Sequence, residues 1–360
     1  MKVAVVILNY NTREYLQTFL PGLIASCEGL DAQVMVADNA STDGSAAFLR
    51  AQFPEVPLIL LEENYGFAGG YNKALQSIEA EYFVLINSDI EVPAGWLSPL
   101  VEWMDRHPRC GACGPKLLSY DRREYFEYAG AAGGRIDRYG YPFCRGRVMQ
   151  QVEMDHGQYD SPADVLWVSG ACLMVRASLW KALGGLDQRF FAHMEEIDLC
   201  WRMQLRGWQV TLVPDSKVYH IGGGTLPNES PFKLRLNFRN NLLLLENNLP
   251  ATFFAQMAGG PGHDVLPGHD RASLERKARQ KARRRILMRM LLDGCSALVY
   301  LASGRRSFYQ AVLQAHQEYR RLRKAGEIPP HPQVPEGLYK GWIVPRGLGL
   351  LGKNALAKIK

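Results

Sequence analysis

Short apolar runs alternate with longer amphipathic ones through the first hundred residues of the chain. Residues 3–8, 34–38, 58–61 and 82–86 read as strands, with helices over 13–27, 45–53 and 68–78 between them. This alternation predicts βαβ units and a mainly parallel sheet. In such a sheet ligands sit beyond the carboxyl ends of the strands, so the residues that follow each strand are the first candidates for function. They are strongly polar: Asn9-Tyr10-Asn11, Asp38-Asn39-Ala40-Ser41, Glu62-Glu63-Asn64 and Asn87-Ser88-Asp89.

Farther along, 120–164 is rich in Gly, Tyr and Arg with weak periodicity, which predicts loops and short strands within the same domain. A strand is expected at 165–168, a short helix at 178–183, a helix at 195–206 closed by Gly207, and a strand at 209–213. The catalytic domain is expected over 1–224, completed by a helical segment over 225–258. Gly259-Gly260-Pro261-Gly262 through Gly268 has the composition of a flexible connector, assigned to 259–272. A basic, amphipathic helical region is expected over 273–360. Its apolar run, 286–302, contains Arg289 and Asp293 and falls short of the ~20 residues of a spanning helix. The expectation is a helix lying in a membrane interface; a helical hairpin packed on the catalytic domain is the competing arrangement.

Composition narrows the class. With 360 residues and 47% hydrophobic positions, the chain is an ordinary globular protein able to bury a large core. Seven cysteines are an odd number and lie mostly in apolar runs, which suits reduced thiols rather than a disulfide framework. Cys110 and Cys113 form a C-x-x-C, but no second pair follows at zinc-ribbon spacing. The net charge of +6 is uneven: Leu274 to Arg285 is dense in Lys and Arg, with Glu275 its one acid. That block has no interleaved aromatics and adjoins an apolar run, which favours a membrane surface over nucleic acid. Met1-Lys2 leads into an apolar run too short for a signal peptide, so the expected location is cytoplasmic, peripheral on the inner face of the cell membrane.

Candidate chemistry lies at the strand ends. Asp89, after the strand at 82–86, can hold a divalent cation against two phosphates, although taken alone an Asn-x-Asp triplet is more often an ordinary turn after a strand. Asp38 ends another strand, where a carboxylate can accept the ring N–H of a pyrimidine, while Ser41 and Asp43 have the chemistry of helix caps. Asn64-Tyr65-Gly66-Phe67-Ala68-Gly69-Gly70-Tyr71-Asn72 puts small residues at a helix start, where backbone approaches a ligand closely. Glu195, Glu196 and Asp198 crowd a second helix start. Glu195 and Glu196 point about 100° apart, so one can face a cleft as general base while the other serves the fold. Asp198 has Arg202 four residues on, the spacing of a helix-face ion pair. His220 precedes a run of three glycines, which suits backbone lying close to something bound, and Arg239 in a helical segment can contact a diphosphate or pair within the fold.

Together these blocks resemble glycosyltransferase family 2, of GT-A fold, over roughly residues 3–245. Five occur in the family's order: 6–11, 38–43, 64–67, Asn87-Ser88-Asp89 and the segment from Glu195 to Arg202; Val168-Ser169-Gly170-Ala171 is similar to the acceptor-side motif. The resemblance implies a GT-A fold, a mainly parallel twisted sheet flanked by helices, here with a helical C-terminal extension. It also implies an inverting, metal-dependent transfer of sugar from a nucleoside-diphosphate sugar. The implied donor site comprises Asn9, Tyr10, Asn11, Asp38, Asn64, Gly66, Phe67, Asn72, Asn87, Ser88 and Asp89. Asp89 and His220 would hold Mg2+ or Mn2+, Arg239 the diphosphate, and Gly170, Ala171 and Asp198 the acceptor side. Glu196 is the implied base, with Glu195 as its alternate.

Two positions depart from the family's pattern. The triplet opens with Asn87 rather than Asp, leaving Asp89 as its one carboxylate ligand, and the usual Glu-Asp pair reads Glu195-Glu196. The segment Leu291-Leu292-Asp293-Gly294 is similar to bacterial rhamnosyltransferase-like enzymes of surface-polysaccharide synthesis. This implies dTDP-rhamnose or a UDP-sugar as donor and a glycan or lipid-linked acceptor. A sugar nucleotidyltransferase would need a Gly-rich triphosphate loop after the first strand, where Asn9-Tyr10-Asn11-Thr12 has no glycine. A noncatalytic carbohydrate-binding protein would not need carboxylates at 38, 89 and 196.

Overall fold

A computed structural model describes residues 1–222, 230–259 and 270–347. The domain boundary read at 224, residues 260–269 of the expected connector and 348–360 of the last region lie outside the described residues.

The first half alternates as its sequence predicts: β1 (Val3–Asn9), α1 (Arg13–Cys27), β2 (Ala32–Asp38), α2 (Ser45–Gln52), β3 (Leu58–Leu60), α3 (Gly66–Leu75) and β4 (Tyr82–Ile86). β1 pairs in parallel with β2 and β4, and β2 with β3. β1 and β4 are buried almost throughout, as expected of strands covered on both faces. Two core clusters result, one on each side of the sheet: Val5, Ile7, Leu16, Leu20 and Val84 on one, Val6, Tyr71, Ala74 and Leu85 on the other. Along β1 they alternate, because successive side chains of a strand point to opposite faces.

Beyond β4 the sheet becomes mixed. β5 (Ile90–Glu91), α4 (Leu97–Arg106) and β6 (Cys110–Ser119) are followed by a second, small sheet of β7 (Gly134–Asp137), β8 (Pro142–Cys144), β9 (Arg147–Val148) and β10 (Gln151–Val152). Next come β11 (Ala163–Asp164), β12 (Cys172–Arg176), α5 (Ala177–Leu183), α6 (Glu195–Gln204) and β13 (Gln209–His220). β12 enters between β4 and β6 and runs antiparallel to both, while β6 and β13 pair in parallel. The GT-A-like sheet is thus parallel around β1 and mixed beyond β4.

The strand expected at 165–168 does not form. The carbonyls of Val165 and Leu166 are taken by the Gln204 side-chain amide at 2.9 and 2.8 Å, while their amides go to Val210 O and Gly134 O, so the run divides its hydrogen bonds among three elements and follows no single neighbouring strand. β13, by contrast, runs past 213. Its register slips against β6 between Val213 and Lys217, the region of Pro214, and pairing then resumes to His220. That extension carries His220 to the end of the sheet.

The C-terminal region contributes α7 (Pro231–Met257), α8 (Arg271–Ala302), α9 (Arg306–Leu322), β14 (Leu338–Tyr339) and α10 (Val344–Gly347), with β14 joining β7 in the small sheet. One face of α8, including Ala278, Ala282, Ile286, Arg289, Asp293 and Ala297, is buried. On that face Arg289 pairs with Asp293 at 2.7 Å and lies over the Tyr141 ring. Arg239 of α7 pairs with Glu318 of α9 at 3.0 Å. Among the described residues no helix is long and apolar enough to cross a membrane.

Candidate active site

The polar strand ends converge as their positions in a parallel sheet require. Asn9, fully buried, donates to Asp38 Oδ1 at 2.7 Å and to Ser41 Oγ at 3.0 Å, and Ser41 N donates to Asp38 Oδ2 at 3.0 Å. Asp38 is therefore oriented from both oxygens. Asn11 takes a left-handed backbone, φ 54°, and its Oδ1 accepts from Thr42 N at 2.7 Å, stitching the β1 and β2 ends together. Tyr10 lies half-buried beside them. Asn39 bridges to the third block: its amide donates to Asn64 Oδ1 at 3.0 Å and to Gly66 O at 3.1 Å, and it accepts from Tyr65 N. Ser88 closes the circuit by donating to Thr12 Oγ1 at 2.8 Å.

Asp89 and His220 meet at the centre. Asp89 Oδ1 lies 3.2 Å from His220 Nε2, with both side chains buried. Asn87 Nδ2 stands 3.5 Å from the same nitrogen. Burial disfavours charge on both partners, yet their attraction prevails. Asp89 is held below the ordinary carboxylate pKa, and His220, facing Glu127 as well as Asp89, is carried up to about 10.

The pair is also compatible with a cation. Two ligands at about 2.1 Å in adjacent octahedral positions stand about 3 Å apart, close to the spacing found. No group of three or more His, Cys, Asp or Glu side chains suited to a metal occurs among the described residues.

The acceptor-side blocks meet at Gly170. A Cβ placed there would lie 3.5 Å from Cβ and Cγ of Glu196 and 3.5 Å from the Phe67 ring. Ala171 O accepts from Asn87 N at 2.9 Å, tying this motif to the Asp89 triplet. Glu195 is almost wholly buried and Glu196 half-buried; each keeps one buried carboxylate oxygen without a hydrogen-bond partner. Burial raises both pKa values, and in Glu195 the neighbouring Glu196 charge adds to the effect.

The segment before these glutamates is strained, with left-handed backbone at Phe191 (φ 64°), His193 (φ 71°) and Met194 (φ 74°). Asn240 holds it by donating to the carbonyls of Phe190, Ala192 and His193 at 2.9, 2.7 and 2.7 Å. Arg239 adds a bond to Phe190 O at 2.7 Å.

Three residues named for ligands have other partners here. Arg239 pairs with Glu318 and braces this strained segment. The Asn72 amide is taken up at both atoms by the backbone of Leu186, at 2.7 and 2.9 Å. Asp198 is fully buried and binds Arg202 at 2.7 Å, Asn247 at 2.9 Å and Asn248 at 2.8 Å, joining α6 to α7. Conversely, Asn39 and Glu127 contribute to the candidate site without having been named from the sequence as ligand-binding or catalytic. Asn39 was legible as part of the Asp38 block, whereas Glu127 lies in the weakly periodic segment and carries no local signal.

Residues 4–157 match the model of Glycosyl transferase family 2, a span that includes the Asn9, Asp38, Gly66 and Asp89 blocks. That stretch resembles a family 2 glycosyltransferase domain. It is 28% identical over 230 residues to an N-acetylglucosaminyl-diphospho-decaprenol L-rhamnosyltransferase of Mycobacterium tuberculosis, covering 60% of this chain and 75% of that one. To a dTDP-rhamnosyl transferase of Shigella flexneri it is 25% identical over 243 residues, covering 64% and 76%. A crystal structure of GalNAc-T7 with UDP, GalNAc and Mn2+ superposes with a TM-score of 0.53 at 17% identity. That alignment covers 78% of this chain and 55% of the other, a likeness of fold. The chain thus has a GT-A-like α/β fold and rhamnosyltransferases among its relatives.

Proposed function

We propose that this chain is an inverting, metal-dependent glycosyltransferase. It moves a sugar, with dTDP-rhamnose or a UDP-sugar favoured, to a hydroxyl of a glycan or lipid-linked acceptor at the inner face of the cell membrane. The observation that carries this reading is the buried Asp89–His220 pair, 3.2 Å apart where the strand ends converge. Asp38, fixed by Asn9 and Ser41, receives the base; Asn64, Gly66 and Phe67 line the donor with Asn11 and Asn87; Asp89 and His220 hold Mg2+ or Mn2+. The cation supplies charge neutralisation on the departing diphosphate. Glu196 takes the proton of the acceptor hydroxyl, whose oxygen bonds to the anomeric carbon as the bond to the diphosphate breaks on the opposite face. The raised pKa of Glu196 makes it a stronger base toward the acceptor hydroxyl than an ordinary carboxylate.

The α8 face opposite the packed one supports the membrane part of the reading. Leu287, Leu291, Leu298 and Val299 are 60–66% exposed there. Arg276, Lys277, Lys281, Arg283 and Arg284 lie exposed on the preceding turns. The name of the Mycobacterium tuberculosis relative carries a diphospho-decaprenol acceptor, which is consistent with a lipid-linked one here.

The deciding experiment measures binding of UDP-, dTDP- and GDP-sugars with Mn2+ or Mg2+ to wild type and Asp89→Ala. Metal-dependent binding of one donor, lost in Asp89→Ala, is expected; unchanged binding in the variant overturns the assignment.

A further inference from the structure

Glu127 lies in the loop after β6, outside every block that marks the family, yet it is buried at 6% exposure against His220. Its Oε1 stands 3.5 Å from His220 Nδ1, on the side of the ring away from Asp89. Its other oxygen accepts from Ala129 N, and its own backbone N donates to Leu117 O at 2.9 Å. The carboxylate is thus anchored to β6, the same strand that β13 pairs with up to His220. The opposite wall of this contact is Gly222, with φ 75°, where a Cβ would come within 3.2 Å of Glu127 Oε1. Carboxylate, imidazole and the second carboxylate of Asp89 therefore form a buried row.

A neutral imidazole has one donor nitrogen and one acceptor nitrogen, and its partner decides which is which. An ionised carboxylate only accepts. Flanked by Asp89 and Glu127, the ring carries both protons while no cation is bound; once a cation displaces the proton of Nε2, the one that remains sits on Nδ1, facing Glu127 Oε1. We propose that Glu127 is a positioning residue for the cation site, fixing the tautomer and ring angle of His220 so that Nε2 and Asp89 Oδ1 act as adjacent ligands. This rests on the reading of Asp89 and His220 as metal ligands. Carboxylates that orient a ligating histidine change metal affinity by about 10–100-fold when removed. Glu127 touches neither donor nor acceptor in this scheme and acts through His220.

The test is Mn2+ binding by titration calorimetry in the presence of saturating UDP or dTDP, with pulsed electron paramagnetic resonance of bound Mn2+ as a second readout. Wild type should show modulation from a directly bound nitrogen, absent in His220→Ala. Glu127→Ala is expected to lower Mn2+ affinity by roughly 10–100-fold and to weaken the nitrogen signal even at saturating Mn2+, with its melting temperature within the range of the other variants. Glu127→Gln, isosteric and still able to offer a carbonyl to Nδ1, should lie between; it also decides the matter if Glu127→Ala fails to fold. Wild-type affinity and nitrogen signal in Glu127→Gln, and in Glu127→Ala where it folds, would overturn the role of Glu127 while leaving the metal site standing. Absence of Mn2+ binding in the wild type would overturn both, and persistence of binding in Asp89→Ala would locate the cation elsewhere.

Discussion

Gly66 and Phe191 touch so closely that no side chain fits between them: a Cβ on Gly66 would lie 2.5 Å from both the Phe191 ring and its carbonyl oxygen. Gly66 also has φ 69°, and Ala68 N donates to Phe191 O at 3.1 Å. The donor-side helix start is thereby seated on the strained segment that leads into Glu195 and Glu196. Gly66→Ala incurs about 1–2 kcal/mol for the left-handed backbone alone, before the clash is relieved. A lower melting temperature and a loss of transfer larger than the loss of donor affinity are expected, because displacing Phe191 moves the base. Wild-type kinetics in Gly66→Ala would show that the two segments are not coupled.

The raised pKa of Glu196 has a consequence for pH dependence. A base works deprotonated, and burial makes this carboxylate hold its proton to higher pH than the ordinary 4.5. Activity should therefore fall as pH is lowered through a midpoint above 4.5, as read from kcat/KM for transfer. Glu196→Gln should bind donor normally and transfer no sugar. If Glu195→Gln alone abolishes transfer, the base is Glu195.

Glu195 offers a separate prediction, about stability. Its folded-state pKa is raised well above 4.5 by burial and by the Glu196 charge, and its Oε2 has no hydrogen-bond partner. The folded protein therefore binds this proton more tightly than the unfolded chain. The associated stability is full below the unfolded pKa and is lost as pH rises through the folded one. Glu195→Gln removes that loss. It should raise the melting temperature at pH 8, by roughly 1–2 °C for each kcal/mol recovered in a chain of this size, with the gain shrinking toward pH 4. Calorimetric scans across that range give the answer, and a lower melting temperature at pH 8 would contradict it.

Asp198 separates a ligand role from a structural one. Four groups surround it: Arg202 in its own helix, Asn247 and Asn248 in α7, and the Asp187–Arg189 pair beside Asn247. Asp198→Ala leaves Arg202 without its buried partner, a change that costs about 3–5 kcal/mol. Chemical denaturation should register that loss. Asp198→Asn, which keeps part of the network, should fold with an unchanged KM for acceptor; a selective rise in that KM would restore an acceptor contact.

The sequence exposed the β1–β4 half of the sheet because each strand there is covered by a helix drawn from the next stretch of chain, so local periodicity and tertiary neighbour coincide. It placed Asp38 and Asp89 among the converging strand ends because both follow strands directly. It failed where partners come from afar. The apolar run at 165–168 looks like a strand, but Gln204, Val210 and Gly134 divide its hydrogen bonds among them. Pro214 looks like the end of a strand, but β6 restores pairing beyond the bulge and brings His220 in. Arg239 and Asn72 have the chemistry to hold a ligand, and only the folded chain reveals Phe190, Glu318 and Leu186 as their partners.

The two arrangements weighed for 273–360 would use opposite faces of α8: one is packed on α7 and α9, and the other is the proposed membrane face. At 100° per residue, Leu287, Leu291, Leu298 and Ala302 fall within about 60° of each other, opposite the face buried against α7 and α9. The apolar stretch from 287 to 302 is about 22 Å long at 1.5 Å per residue. Exposed basic side chains precede it, and Arg305 and Arg306 follow it. The two acids of α8, Glu275 and Asp293, pair with Arg271 and Arg289. A surface that is apolar in the middle, basic at both ends and free of unpaired acid matches an anionic bilayer, where a basic residue contributes about 1 kcal/mol and a buried leucine about 1.5–3 kcal/mol. Leu291→Glu should therefore reduce partitioning onto vesicles containing anionic lipid by more than about tenfold. Combined replacement of Arg283 and Arg284 by Gln should do so in a salt-dependent way. Neither change should alter the melting temperature or transfer to a soluble acceptor analogue, since the packed face is untouched. If wild type ignores such vesicles and sediments instead as a dimer that Leu291→Glu dissociates, the face belongs to a second copy of the chain and not to lipid.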